Sequence, residues 1–222
     1  MINSKQQKLN RINSGLPDAI LSQTYNLIIG ACLLYGFVVN ALIVGTCSEF
    51  FMGINPWTLI IGYVISCIVG ALLTRSDSAL VSFIGYNLVV VPIGAVMSVS
   101  LPGYPVQDIL SAIVVTGVVV LVMMILSTLR PNIFAKMGKT LFIGLLVSLV
   151  AEIIAMLFGY AGTIFNWIFV IIFSLYIGYD WHKAQMYPKT VNNAVDAALD
   201  IYLDIINLFL RLLEIFGVKD ND

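Results

Sequence analysis

Residues 194–217 read A-V-D-A-A-L-D-I-Y-L-D-I-I-N-L-F-L-R-L-L-E-I-F-G. Within them Asp196, Asp200, Asp204, Asn207, Arg211 and Glu214 follow one another at intervals of four, four, three, four and three. On a helix turning roughly 100° per residue these six fall within an arc of about 80°. Almost everything else in the stretch is apolar. If such a helix lies in a membrane, the stripe cannot face lipid, because each charged group near mid-membrane costs roughly 2.5–3.5 kcal/mol on insertion scales. It is expected to face protein or water, which makes the helix either central or the lining of a cavity.

Working outward, the remainder of the chain makes lipid the relevant neighbour. Of 222 residues 60% are hydrophobic and 10% charged, and the mean hydropathy is +0.99. A soluble domain carries roughly a quarter of its residues as charges. This chain cannot cover a water-facing surface, and the same composition excludes intrinsic disorder. Eleven basic against twelve acidic residues leave a formal charge of −1, which gives nucleic acid no basic patch to bind. The three cysteines, Cys32, Cys47 and Cys67, fall in or beside apolar runs with no C-x-x-C, as buried thiols would. A single histidine, His182, does not make a zinc site, which normally draws on several His or Cys ligands. No cofactor is implied.

A hydrocarbon core about 30 Å thick needs roughly 20 apolar helical residues. Seven runs qualify: 25–47, 57–74, 79–98, 109–129, 141–158, 163–180 and 194–217. Helices are the form in which such non-alternating runs satisfy their backbone in lipid. The expected fold class is all-α, a polytopic membrane protein of seven transmembrane helices. It forms one domain over 25–217, with a tail at 1–24 and a short tail at 218–222. Lys5, Lys8, Arg11, Arg75, Arg130, Lys136, Lys139, Lys183 and Lys189 all fall on one side of such a bundle. That side is expected to be cytoplasmic, with the C-terminus outside. Membrane lipid is the expected surrounding; protein partners are not indicated. Gly62, Ser66 and Gly70 recur at every fourth position, which suits close helix packing. Pro92 is expected to kink the third helix.

The polar residues of the spans divide by depth. Asp196 lies near the cytoplasmic end and reads as solvated. Asp200 is one turn deeper. Asp204, about 15 Å into the helix, is the strongest functional candidate. Arg211 can pair with Glu214 or snorkel to the outer interface. Asp180 closes the sixth run in L-Y-I-G-Y-D-W, and helices joined by a short loop are antiparallel neighbours. Asp180 can therefore approach the level of Asp200 and Asp204 if the sixth helix continues past Trp181. Glu152 is also embedded, as a packing residue or part of a path. Arg75 anchors the second helix or compensates carboxylates. Two carboxyls brought together away from water do not both ionise easily, and their titration belongs to the pair. Such a pair can sense pH, and with Asn and backbone carbonyls it can offer oxygens to a hard cation such as Ca²⁺. Asp180, Asp200 and Asp204 are the candidates for transient calcium contact.

The stretch A-L-D-I-Y-L-D-I-I-N-L-F-L-R-L-L-E-I-F-G at 198–217 resembles the closing pattern of the Bax inhibitor family (the transmembrane Bax-inhibitor-motif proteins), bacterial branch. S-L-Y-I-G-Y-D at 174–180 is similar to that family's Tyr-Asp ending of the sixth helix. The resemblance implies a seventh helix wrapped by the other six and a place in a bacterial cell membrane. It implies an aspartate pair, Asp180 and Asp204, that controls closed and open states, with Arg75 able to engage the first of them. It implies passive, pH-sensitive leak of Ca²⁺, so calcium and protons are the expected partners and enzymatic activity is not. Asp200 and the W-H-K-A-Q after Asp180 depart from the family pattern. Accessory roles along the path would fall to Asp196, Asp200, Asn207, Arg211 and Glu152.

Rival readings are a proton-coupled small-solute carrier and a non-transporting membrane interaction or stress-regulatory protein. An intramembrane aspartyl protease also pairs aspartates on its sixth and seventh helices. It needs Gly-x-Gly-Asp at the second, whereas Ile201, Tyr202 and Leu203 precede Asp204, and no Pro-Ala-Leu occurs.

Overall fold

The computed structural model describes residues 18–160 and 162–217. The expected cytoplasmic cations Lys5, Lys8 and Arg11, and Lys219, lie outside the described residues, as does the short tail at 218–222. Among the described residues every regular element is helical. Seven long helices run α1 (Ser22–Met52), α2 (Pro56–Leu73), α3 (Ala79–Ser100), α4 (Val106–Leu129), α5 (Gly138–Leu157), α6 (Thr163–Met186) and α7 (Val191–Phe216). A 3₁₀ turn at Leu101–Gly103 leads from α3 toward α4, and a one-turn helix at Pro131–Phe134 separates α4 from α5.

Two boundaries matter for the site. The sixth run was expected to end at Asp180, yet α6 continues to Met186. Residues 181–186 hold no Gly or Pro, and the first breaker is Pro188. Asp180 thus lies inside a helix with more than a turn beyond it. The R-P-N expected as a loop at 130–132 instead opens the one-turn helix, because Pro131 sits at its first position, where a missing N–H costs nothing. The same device starts α2, where Pro56 follows Asn55, whose Oδ1 accepts from Trp57 N at 2.9 Å.

Six of the seven long helices are long and apolar enough to cross a membrane, counting α3 with its 3₁₀ turn. The exception is α7, because Asp196, Asp200, Asp204, Arg211 and Glu214 interrupt its apolar character. Between its charges α7 is buried: Ala198, Ile201, Tyr202 and Leu208 are wholly inaccessible. The apolar helices show the opposite pattern. In α2 only Gly70 is buried, and in α5 only Leu141. Ile61, Ile65, Ile68 and Leu72 of α2 and Phe142, Ile143, Val147 and Ile153 of α5 are more than half, or half, exposed. Continuous apolar surface of this extent is untenable in water, and the protein is an integral membrane protein.

The chain divides into two compact units, residues 18–102 with 186–199, and residues 103–185 with 200–217. In the first, α1 and α2 both pack on α3. Gly70 and Gly85 let α2 and α3 meet backbone to backbone: a Cβ on either would stand 2.6 Å from the other's carbonyl oxygen. Ser66 Oγ donates to Leu88 O at 2.6 Å on the same seam. Two of the three small residues expected to pack do so; Gly62 faces open space. Tyr86 OH donates to Cys32 O at 2.7 Å and ties α3 to α1. Pro92 lies inside a continuous α3. Cys32, Cys47 and Cys67 are free thiols.

The second unit holds α4, α5, α6 and the C-terminal part of α7. The end of α4 and the turn that follows it grip α6. Ser127 Oγ donates to Gly178 O at 2.6 Å, and Trp181 Nε1 donates to Thr128 Oγ1 at 3.1 Å. The Phe134 ring occupies the space a side chain on Gly178 would need, and Tyr179 OH lies against Gly138 in the same manner. Asp180 is held between these contacts.

Candidate functional site

Within the second unit α6 and α7 bring four charged side chains together. Asp180 is 9% exposed and Asp204 8%, and the two carboxyls lie within electrostatic reach of each other. An ionised carboxylate has only acceptors, so the two can hydrogen-bond to each other only with a proton on one of them. Asp204 Oδ2 is buried and no hydrogen-bond donor reaches it. Lys183, one turn beyond Asp180 on α6, places Nζ 2.7 Å from Asp200 Oδ2 and 3.8 Å from Asp180 Oδ1. Tyr176, one turn before Asp180, lies within electrostatic reach of both Asp180 and Asp204.

Most of this follows from helical period. Residues 176, 180 and 183 share one face of α6, and 200 and 204 one face of α7. The condition set by the sequence, that the sixth helix run past Trp181, is met. Lys183 was read from sequence only as a loop cation; its role beside the aspartates depends on that same extension. It is legible as the i+3 neighbour of Asp180 once the helix is known to continue. Ser127 and Phe134 carry no sequence signal for their place beside Asp180.

A second polar cluster lies two turns farther along α7. Arg211 bonds both oxygens of Glu152 on α5, Nη1 to Oε1 at 2.6 Å and Nη2 to Oε2 at 2.9 Å. Nη1 also donates to Asn166 Oδ1 on α6 at 2.8 Å, and the guanidinium lies over the Phe169 ring at 4.1 Å. Glu214, the partner expected from sequence, is the more distant at 3.5 Å. The expected pair with Glu214 is present, but the shorter bonds run to Glu152 and Asn166, so the arginine joins three helices.

The remaining candidates are dispersed. Asn207 donates to Leu203 O of its own helix at 2.7 Å. Asp196 belongs to the first unit, within electrostatic reach of the Tyr25 hydroxyl. Arg75, also in the first unit, is exposed and forms no ion pair among the described residues; the cation recorded beside the aspartates is Lys183. The calcium contacts expected of Asp180, Asp200 and Asp204 are not a preformed cage. Among the described residues no group of three or more His, Cys, Asp or Glu is placed to hold a metal ion. Asp200 is turned toward Lys183, and Asp180 and Asp204 toward each other.

Residues 18–221 match the family model described as inhibitor of apoptosis-promoting Bax1. The chain belongs to the Bax inhibitor family. Proteins of Helicobacter pylori share 34% identity over 116 residues, covering 50% of this chain and 49% of theirs. A membrane protein of Vibrio cholerae is 30% identical over 125 residues, with 55% of each chain covered. The protein YrjE of Lactococcus lactis is 28% identical over 157 residues, covering 67% of this chain and 66% of its own. The chain thus spans about half the length of the first of the curated relatives it matches. Both segments that carried the resemblance, 174–180 and 198–217, fall within the stretch matched by the Bax inhibitor family model.

Proposed function

We propose that this Bax inhibitor family protein is a passive, pH-sensitive leak for Ca²⁺ across a bacterial cell membrane, gated by Asp180 and Asp204, and that it is not an enzyme. The observation that supports the reading most is that Asp180 and Asp204, both buried, come within electrostatic reach of each other while no donor reaches Asp204 Oδ2. One proton shared by the two carboxyls would bond α6 to α7. Its loss leaves two anions in contact where little water screens them. The state of the contact between the two helices therefore follows pH. Lys183, Asp200 and Tyr176 lie beside the pair. In this reading α7 crosses the membrane as a seventh span with the other six around it. Its cost in lipid is relieved because its charges face protein. The N-terminus is cytoplasmic and the C-terminus outside.

Purified protein in liposomes loaded with a calcium indicator tests this across a pH series. The wild type should equilibrate Ca²⁺ at a rate that varies with pH. Asp180→Asn and Asp204→Asn should each flatten the profile. Unchanged profiles in both variants defeat the gate, and no flux at any pH defeats the leak. Accumulation of a solute against its gradient would instead identify a coupled carrier. Reporter fusions at the two termini test the odd number of crossings.

A further inference from the structure

We propose that Lys183 sets which cations the carboxylate cluster accepts. Its ammonium, tethered to α6, holds the place a free cation would take, and a cation enters by displacing it. The inference rests on the leak reading and names the specificity of that same site.

Two independent observations carry it. First, Lys183 Nζ is 2.7 Å from Asp200 Oδ2 and 3.8 Å from Asp180 Oδ1, so one ammonium spans carboxylates from two helices. Second, Asp204, more than nine-tenths buried, keeps Oδ2 without a hydrogen-bond donor. The cluster has more acceptor capacity than the ammonium uses. An ammonium has three donors and a single charge, whereas a hard divalent ion gathers six to eight oxygens. Lys183 also sits on a flexible stem with its side chain 35% exposed, so it can swing away without unfolding α6.

The charge balance decides the selectivity. A monovalent ion that displaces Lys183 brings the same single charge and lacks the tether, so the intramolecular ammonium competes at high effective concentration. A divalent ion brings twice the charge to the same oxygens and overcomes that advantage. The lysine therefore acts as a filter against Na⁺ and K⁺ and lowers the affinity for Ca²⁺, which favours release. The groups facing the cluster are Asp180, Lys183 and Tyr176 from α6 and Asp200 and Asp204 from α7.

The test has two arms. In liposomes, Lys183→Met should admit K⁺ and reduce the Ca²⁺ over K⁺ preference by on the order of tenfold, the effect of one unit charge at contact distance. Lys183→Arg should retain the wild-type preference. In detergent, binding of Tb³⁺, read by its sensitised luminescence and displaced by Ca²⁺, should tighten by on the order of tenfold in Lys183→Met. Adding Asp204→Asn to that variant should remove the gain. If Lys183→Met does not yield folded protein, Lys183→Gln takes its place.

Flux in the wild type with unaltered preference and Tb³⁺ affinity in the lysine variants overturns the inference and leaves the leak reading standing. Absence of flux in the wild type overturns the leak reading. The Tb³⁺ arm then decides alone: tightening supports the displacement, and equal affinity overturns it.

Discussion

Asp204 and Arg211 stand two turns apart on α7, and the surroundings of the two differ in kind. Arg211 is closed off. Both oxygens of Glu152, the Asn166 carbonyl and the Phe169 ring account for its guanidinium, and the cluster links α5, α6 and α7. Asp204 is left open. It meets another acid and retains a buried oxygen with no hydrogen-bond donor. A charge in a dry interior is tolerated when its partners are complete. On the reading proposed above, protons and cations would act at the incomplete cluster, whereas the complete one ties three helices together.

The sharpest way to break this contrast is to remove one member of the fastened cluster. Arg211→Met leaves the half-buried Glu152 without its closest cation and should cost about 2–3 kcal/mol, somewhat less than breaking a fully buried pair. A large drop in the detergent unfolding temperature, with little expressed protein, is the expected result; a variant as stable as wild type would show that the bidentate bond does not fasten the helices. The Glu152→Arg/Arg211→Glu exchange should recover part of the loss if charge pairing rather than packing is responsible.

Gly178→Leu strikes the support of the open cluster. Its side chain would enter the space of the Phe134 ring, and overpacking of this kind costs about 1–3 kcal/mol. Because Asp180 follows two residues later, pH sensitivity of flux should fall with stability. A stability loss with an unchanged pH profile would separate the grip of the α4–α5 turn from the gate.

Asp204→Asn should behave oppositely to Arg211→Met. The amide can still hydrogen-bond Asp180 and removes one acid from the contact, so stability should change by less than about 1 kcal/mol while the pH dependence of flux flattens. Equal stability losses at Asp204 and Arg211 would erase the distinction drawn between the two clusters. Smallest of all, Asn207→Ala removes only a bond to its own helix, and thermal unfolding should move by no more than about 0.5 kcal/mol.

The two clusters were unequally legible. Asp204 follows from one helix alone, since an acid on a stripe deep in an apolar run has to be sheltered. Asp180 needed only that the sixth helix continue and lie antiparallel to the seventh. The sequence reading of Arg211 went to Glu214, its neighbour by helical spacing, because i, i+3 pairs are visible along a chain. Glu152 and Asn166 come from other helices, and no periodicity announces which of them an arginine will meet. Lys183 was hidden for a simpler reason: placing the helix end at Asp180 put it in a loop.

Composition, hydropathy runs and the spacing of 196–214 determined by themselves an all-helical membrane protein with one stripe of charge, because backbone bonding in lipid permits few alternatives. Partner choice was decided only by tertiary structure. Which carboxylate receives Arg211, that Lys183 lies against Asp200, and that one oxygen of Asp204 is buried without a partner depend on contacts between helices. Those contacts are fixed by packing shapes such as Gly178 against Phe134, which act through space rather than along the chain.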